Sequence, residues 1–329
     1  MVNISLMNIS FLIILFLSDI AFPQSGKLQS HFIPVWSNNP YLPMNIYISS
    51  AVLDSIALKA GDEIGIFDGS VCVGSRLITN IITPGNPLSI IASTDDPLTS
   101  VKDGFTPGNK IIIKVWDAEN QREIFNCITD YEIGTGNIVS LGSALLSLSC
   151  YSKLKIAPLK LLIEALFDGQ KMVPDTAIIA LRKNISPYNV LDSCITLIDS
   201  TGNCGAEFSS ISFNDSFYIV IKHRNSIETW SKLPQKFSNA IMQYDFTIDS
   251  TLAYGNNLVY KAGRWCIYSG DVNQDGMIDS IDLMIVYTNN ITGNIGYINS
   301  DLNGDGFCEI EDLMVIFKNK TLVVISVRP

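Results

Sequence analysis

Residues 271–290 read DVNQDGMIDSIDLMIVYTNN, and residues 301–320 read DLNGDGFCEIEDLMVIFKNK. The two stretches align without a gap at an offset of 30 residues, and every acidic residue of the first copy meets an acidic residue in the second. An internal repeat of this length indicates one supersecondary unit that is used twice. The repeat therefore predicts a small module made of two acidic loops, each followed by a helix.

The two loops carry oxygen ligands at the spacing of an EF-hand loop, which uses side chains at positions 1, 3, 5, 9 and 12, the carbonyl of position 7 and a glycine at position 6. Position 6 is Gly276 in the first loop and Gly306 in the second, where the chain must turn with positive φ. The predicted ligands of the first loop are Asp271, Asn273, Asp275, Met277 through its carbonyl, Asp279 and Asp282. Those of the second loop are Asp301, Asn303, Asp305, Phe307 through its carbonyl, Glu309 and Asp312. We therefore predict two Ca²⁺ ions, one in each loop.

The charge distribution supports a cation site. Residues 271–312 contain nine acidic residues and no Lys or Arg, so they hold nearly all of the chain's formal net charge of −10. A dense acidic patch on a near-neutral body favours cation binding. A nucleic-acid partner is not expected, because the sequence has no Lys/Arg cluster to neutralise phosphates.

Each loop is followed by apolar residues at helical spacing, Leu283, Val286 and Tyr287 in the first copy and Leu313, Ile316 and Phe317 in the second. Residues at such spacing share one helix face. We expect both stripes to be core and not a ligand groove. Position 8 of each loop is apolar as well, and we expect these two residues, Ile278 and Cys308, to join the loops back to back.

Residues 269–320 resemble a type I dockerin domain. They share its D-x-N-x-D-G-x-I-D-x-x-D loop and the use of Asp at position 12, and the preceding residues, RWCIYSG at 264–270, do not form an entering helix pattern. The resemblance implies a module that folds on binding calcium and docks to a cohesin module, usually attaching polysaccharide-degrading enzymes to a scaffold or cell surface. The alternative is that the module packs on the adjacent β-sandwich and stabilises it.

Partner choice in such modules is usually set at loop positions 10 and 11. In this sequence those positions are Ser280 and Ile281 in the first repeat and Ile310 and Glu311 in the second. The repeats therefore differ at the positions that the resemblance assigns to partner binding.

The N-terminal residues predict export. Residues 9–17 (ISFLIILFL) form a short apolar core followed by small and turn-forming residues, which is typical of a secretory signal peptide over residues 1–25. The core is too short to span a membrane, and no other stretch of the sequence is long and apolar enough to do so. We therefore expect a secreted protein, extracellular or at the cell surface.

The remaining sequence is mainly β. Short apolar runs such as 63–67, 70–75 and 111–116 alternate with Gly-, Pro-, Asn- and Asp-rich breaks, a pattern typical of β-sandwiches. The turn of the first hairpin is expected at Asp68–Gly69. We predict a sandwich over residues 27–152.

A second strand-rich unit follows over residues 153–268, with expected strands at 159–167, 176–183 and 217–222. The first of these three also allows a helix. The fold class is thus two immunoglobulin-like β-sandwiches, the second also compatible with a transthyretin-like fold, followed by a small α-helical, EF-hand-like paired calcium-loop module at 269–320 and a tail at 321–329.

Carbohydrate binding is the alternative function of the sandwiches, in an accessory or adhesion protein. Sugar C–H faces stack on exposed aromatic rings, and the candidates are Trp36, Tyr41 and Trp230. Possible ligands therefore include a polysaccharide.

Catalysis is not expected. The two histidines, His31 and His223, lie outside any nucleophile-elbow or HExxH context. A β-sandwich glycoside hydrolase needs only two carboxylates, for which Glu63, Asp117 and Glu228 are candidates. The seven cysteines are widely spaced, and their pairing cannot be assigned from the sequence.

Overall fold

The computed structural model describes residues 30–329. The predicted signal peptide at 1–25 lies outside the described residues. The fold is mainly β with two α-helices near the C-terminal end of the sequence, which confirms the expected class. Among the described residues, no helix is long and apolar enough to cross a membrane.

The first unit is a sandwich of two sheets that share one core. Its strands are β1 (Met44–Leu53), β2 (Ile56–Ala57), β3 (Glu63–Asp68), β4 (Val71–Leu77), β5 (Leu88–Ala92), β6 (Ile112–Asp117), β7 (Arg122–Ile124), β8 (Cys127–Ile133) and β9 (Ser143–Cys150). One sheet has the order β2-β1-β9-β8, with β5 also paired to β1, and the other has the order β4-β3-β6-β7. Ile46 and Ile48 from one sheet and Ile64 and Ile66 from the other are buried in the same core, because alternate residues of a strand face one side.

The β3–β4 hairpin differs by one residue from the expected turn. Asp68 pairs with Val71, so the two-residue loop is Gly69–Ser70 and Asp68 ends the strand. Only Gly69 takes a positive φ, of 61°. Asp68 is instead buried and accepts hydrogen bonds from Lys102, Thr106 and Asn109, which holds it in the sheet.

A disulfide joins Cys127 and Cys150, which lie directly opposite each other on β8 and β9. The sequence does not reveal this pair, because the two residues are 23 positions apart and their register depends on the sheet. The first sandwich then meets the second at Asn126, whose buried side chain donates to Ile211 O and accepts from Phe213 N.

The second unit also contains two packed sheets. Its strands are β10 (Leu154–Lys160), β11 (Asp175–Lys183), β12 (Val190–Ile198), β13 (Asn203–Phe208), β14 (Phe217–His223), β15 (Thr229–Trp230), β16 (Ile241–Asp245), β17 (Val259–Lys261) and β18 (Arg264–Cys266), with short 3₁₀ helices at Ser250–Leu252 and Tyr254–Asn256. The sheets have the orders β13-β10-β16 and β12-β11-β14-β15, and β17 and β18 form a hairpin.

The expected strand at 159–167 is wrong. The strand β10 ends at Lys160, and the following residues form a turn rather than a strand or a helix. The apolar side chains of this segment, among them Leu162, Ile163 and Leu166, are nevertheless buried. Their burial in an irregular segment of the core explains why an apolar run here resembles a strand.

The C-terminal module consists of the two loops and helices α1 (Ser280–Ile291) and α2 (Ile310–Thr321). Each helix begins directly after loop position 9, and the Asp at position 12 accepts the position-9 N–H as in a capping box. Both position-8 residues, Ile278 and Cys308, are buried in one apolar cluster, but the backbones of the two loops do not pair with each other there. Instead Met277 pairs with Ile325, and Phe307 pairs with Ile295.

The module shares its core with the second sandwich. Buried side chains from both belong to one continuous apolar cluster that includes Val286, Leu302 and Ile316 of the module. The contact is close: a Cβ placed on Gly304 would lie 2.9 Å from Leu166 Cδ2. The side chains buried in this cluster therefore pack against residues of both the second sandwich and the module.

We expect Leu302→Ala to lower the free energy of unfolding by about 2–5 kcal/mol, because the residue is fully buried in the shared core. The second sandwich and the module should unfold in one shared transition, which scanning calorimetry measures.

The matched control is Leu146→Ala, which is equally buried in the core of the first sandwich and should shift only that unit's transition. A Leu302→Ala protein in which the module melts alone while the second sandwich keeps its wild-type transition would contradict the shared core.

Candidate functional site

The first loop is shaped by hydrogen bonds from its own backbone to its acidic and amide side chains. Gly276 has φ of 91°, and its N–H donates to Asp271 Oδ2. Asn273 Oδ1 accepts the N–H of Asp275, whose Oδ1 in turn accepts the N–H of Met277. Asp275 Oδ2 also accepts from Asn273 Nδ2, and all of these oxygens keep further acceptor capacity.

The second loop repeats this pattern. Gly306 has φ of 88° and donates to Asp301 Oδ2. Asn303 Oδ1 accepts from Asp305, and Asp305 Oδ1 accepts from Phe307. The two loops therefore turn in the same way, as their shared spacing predicts.

The loops differ at their first carboxylate. Asp301 Oδ1 accepts a hydrogen bond from Gly304 N. Asp271 Oδ1 is buried and has no hydrogen-bond partner. A buried carboxylate oxygen without a donor is costly, and it is an available ligand atom for a cation.

The position-12 carboxylates lie at the bottom of the loops and are fully buried. Asp282 accepts the N–H groups of Val272, Asn273 and Asp279. The equivalent residue of the second loop, Asp312, accepts three N–H groups at the corresponding positions. Each side chain ties the start of its loop to the start of its helix.

Burial and neighbouring negative charges raise the pKa of four carboxyls in the loops. Burial, and after it the charge of Asp282, raises the pKa of Asp271 to about 7. Burial likewise raises the pKa of Asp282 and of Asp312. The charge of Glu311 is the main cause that raises the pKa of Glu309. Ionising the loops is therefore costly unless a cation is present.

The donor set suits a hard cation, since it consists of oxygen atoms only. Within residues 30–329, no three Asp, Glu, His or Cys side chains by themselves form an arrangement that could hold a metal ion. A cation in either loop would therefore also need the amide of Asn273 or Asn303 and the carbonyl of Met277 or Phe307. These are the predicted ligands of positions 3 and 7.

The predicted helix stripes are only partly core, so that expectation is wrong for two of the residues. Val286 and Ile316 are fully buried, but Tyr287 is 50% exposed and Phe317 is 60% exposed. A step of one residue rotates a side chain by about 100° around a helix. Each 12-residue helix buries one narrow row, and the next row stays at the surface.

These exposed residues line an apolar groove between the two helices, of about 530 Å³. Met284 and Met314, which are equivalent in the repeat, are 62% and 67% exposed on its walls. Of the four predicted partner-binding residues, Ser280 and Ile310 line the groove. The other two, Ile281 and Glu311, are exposed beside them at the helix starts. An exposed apolar surface of this kind indicates an interaction site.

The candidate sugar-binding aromatics have different environments. Trp230 is 1% exposed and is packed against Tyr188 and Tyr218. Its face cannot stack on a sugar, so that part of the prediction is wrong. Trp36 is half-buried and donates to Val73 O, and Tyr41 is partly exposed.

The candidate catalytic carboxylates are engaged in structural contacts. Glu63 is buried and accepts from Ser30 and from two backbone N–H groups. Asp117 accepts from Asn120 and Arg122, and Glu228 accepts from Trp230 and pairs with Lys222.

A buried cluster around Asp175 was not anticipated from the sequence. Its carboxylate accepts from His223 Nε2 at 3.1 Å, Arg224 Nε at 3.0 Å and the hydroxyl of Tyr297. Burial by itself would raise the pKa of Asp175, but the hydrogen bonds from His223 and Tyr297 outweigh it and hold the pKa well below its usual range. The cluster joins the second sandwich to the segment between α1 and α2.

One of the comparisons with known proteins identifies the C-terminal module. Residues 269–319 match the family model described as the dockerin type I domain, which confirms the resemblance found in the sequence. Because dockerins are docking modules, the match supports a docking role for this segment.

Comparison with curated proteins finds no match. Among solved structures, the chain is similar to one from an N-terminal interface mutant of the type II cohesin–X–dockerin complex of Acetivibrio cellulolyticus, with 13% identity and a TM-score of 0.29. The similarity covers 51% of this chain and 94% of that chain. At this TM-score the likeness does not establish a shared fold.

The Asp175 cluster predicts an acid-sensitive junction. In the folded protein the pKa of the Asp175 carboxyl lies below its unfolded value of about 4. The contacts of Asp175 therefore stabilise the fold above about pH 4, and this stabilisation is lost as the pH falls further. We expect Asp175→Asn to lower stability near neutral pH and to flatten this acid dependence, as measured by denaturant unfolding of the calcium-free protein over a pH series.

The exposed carboxyl of Asp130 in the first sandwich provides the control, and Asp130→Asn should leave the acid dependence unchanged. If the free energy of unfolding of Asp175→Asn fell as steeply below pH 4 as that of the wild type, the Asp175 cluster would not be the cause of the acid dependence.

Proposed function

We propose that this is a secreted modular protein whose C-terminal module binds two Ca²⁺ ions and docks to a cohesin-like protein module. One observation carries the proposal. Two copies of an acidic loop, with carboxylates that are buried against each other, support two helices whose exposed apolar side chains form a single groove.

The case for calcium rests on the cost of ionising the loops. Asp271 is buried, its Oδ1 has no donor, and the neighbouring Asp282 raises its pKa. A bound divalent cation would neutralise this charge and use the free oxygen. We propose the six residues of each loop given above as its ligands.

Replacing Asp271 by Asn should have opposite effects without and with calcium. In EDTA at about pH 8 the substitution should raise the free energy of unfolding by roughly 1 kcal/mol, because it removes the charge repulsion with Asp282. In calcium the same substitution should weaken binding to the first loop by more than about tenfold, since the ligand charge falls. Calorimetric titration of the full chain and denaturant unfolding measure the two effects.

Asp301→Asn is the matched control, because it should weaken the second loop and spare the first. If the wild-type chain gives no heat of binding and no stability change in millimolar CaCl₂, the calcium proposal is wrong.

The case for docking rests on the groove together with the family match. The groove contains equivalent residues from both repeats, so one partner would contact both helices. At the starts of the two helices, Ser280 and Ile281 of the first repeat are equivalent to Ile310 and Glu311 of the second repeat. We propose that this difference sets the orientation in which the partner binds.

Phe317→Asp should reduce binding to a cohesin module by more than about tenfold, because a charge in the groove loses apolar contact and is desolvated in the complex. Surface plasmon resonance against a panel of purified type I and type II cohesin modules, with calcium and with EDTA, measures the effect.

Leu98→Asp provides the control, since Leu98 is 92% exposed on the first sandwich, away from the groove. The docking proposal would fail if no cohesin on the panel bound the wild type, or if Phe317→Asp and Leu98→Asp proteins bound equally well.

The proposed setting is extracellular. The signal-like residues 1–25 support export, and the Cys127–Cys150 disulfide is a bond that persists in oxidising compartments.

Polysaccharide breakdown is the process that the dockerin resemblance implies, and the sandwiches would be the units that the module attaches. The packing of the module on the second sandwich also supports a stabilising role within the chain.

A further inference from the structure

The segment that follows α2 lies outside the family match and returns to the first loop. Residues 322–328, here named the strap, run antiparallel to loop residues 276–278. Ser326 N donates to Gly276 O at 2.7 Å, and Ile278 N donates to Val324 O at 3.0 Å. The strap therefore pairs with the backbone of the loop at positions 6 to 8, directly beside the predicted carbonyl ligand of Met277.

The second loop has an equivalent partner within the module. Gly296 N donates to Gly306 O at 2.7 Å, which is the same bond at an offset of 30 residues, and Ile295 pairs with Phe307. That segment lies between α1 and α2, so helices hold it at both ends. The strap follows α2 and is also supported from outside the module.

The second sandwich supplies this support. Asn257 Nδ2 donates to Ile325 O at 2.9 Å, and Ser326 Oγ donates to Glu228 O at 3.1 Å. The approach near Val327 is close enough that a Cβ on Gly255 would lie 2.6 Å from Val327 Cγ1. The strap thus lies between the first loop and the sandwich and contacts both.

These three parts line an open polar cavity of about 310 Å³. The loop contributes Asp271, which is buried and whose Oδ1 has no partner. The sandwich contributes Lys222 and Glu228, and the strap contributes Ser326 and Arg328. The surroundings of the first loop are therefore completed by residues outside residues 269–319.

We propose that the strap and the second sandwich form part of the first cation site. The affinity of the first loop for a divalent cation then depends on the strap, and the affinity of the second loop does not. The inference rests on the proposed calcium function. Physically, the strap holds the loop in its curved form before the cation arrives, which reduces the ordering that binding requires.

The test uses the full chain, titrated with CaCl₂ in an Asp301→Asn background so that the first loop dominates the signal. Ser326→Pro removes the N–H that donates to Gly276 O and should weaken the first loop roughly three- to tenfold, the size expected for one lost hydrogen bond. Ser326→Ala keeps that N–H, loses only the bond to Glu228 O, and should have a smaller effect. In an Asp271→Asn background, Ser326→Pro should leave the second loop's affinity unchanged.

A second readout needs no metal. In EDTA, hydrogen exchange at the Ile278 amide should be faster in Ser326→Pro than in the wild type, because its acceptor Val324 O is displaced. A chain that ends at Thr321 gives the same comparison without a proline. Unchanged calcium affinity and unchanged Ile278 exchange in both variants would overturn the inference while leaving calcium binding intact. Absence of calcium binding in the wild type would instead overturn the proposed function.

Discussion

The structure around the C-terminal module depends on one buried carboxylate, that of Glu164. It lies in the turn after β10 and accepts from Asn319 Nδ2 at 2.6 Å and from Lys318 Nζ at 2.7 Å, both at the end of α2. It also accepts from Ser269 N, where the sandwich chain leads into the module. Because a buried charge must be paired and hydrogen-bonded, these three segments are held in one arrangement.

The second sandwich is also connected to both loops. On the sandwich side, Asn225 donates to Asp301 O at the first residue of the second loop, and Arg224 donates to Ile298 O just before it. The strap connects the sandwich to the first loop. The helices therefore have a packed side, which the sandwich covers, and a free side, which carries the groove. A surface held on a rigid support is well suited to docking, because little conformational freedom is lost on binding.

Much of this arrangement could be predicted from local pattern. The strands β6, β11 and β14 lie within one residue of their expected positions, a helix follows each loop as expected, and the family match confirms the dockerin resemblance. These features depend on periodicity and on glycines with positive φ, which are properties of neighbouring residues. The calcium ligands themselves remain a prediction. The run at 159–167 resembles a strand because its apolar residues are buried, but beyond Lys160 the segment is irregular and lies in the core that the second sandwich shares with the module.

The sequence by itself determined the two loops, their helices and the mainly β body, since spacing and residue type act over a few positions. Only the tertiary structure decided which helix row is exposed, because Tyr287 and Phe317 have the same apolar character as their buried neighbours. It also decided the Cys127–Cys150 pair, the Asp175 and Glu164 clusters and the place of the strap. Each of these joins residues that are far apart in the chain, and such contacts depend on how the units pack, which no local pattern records.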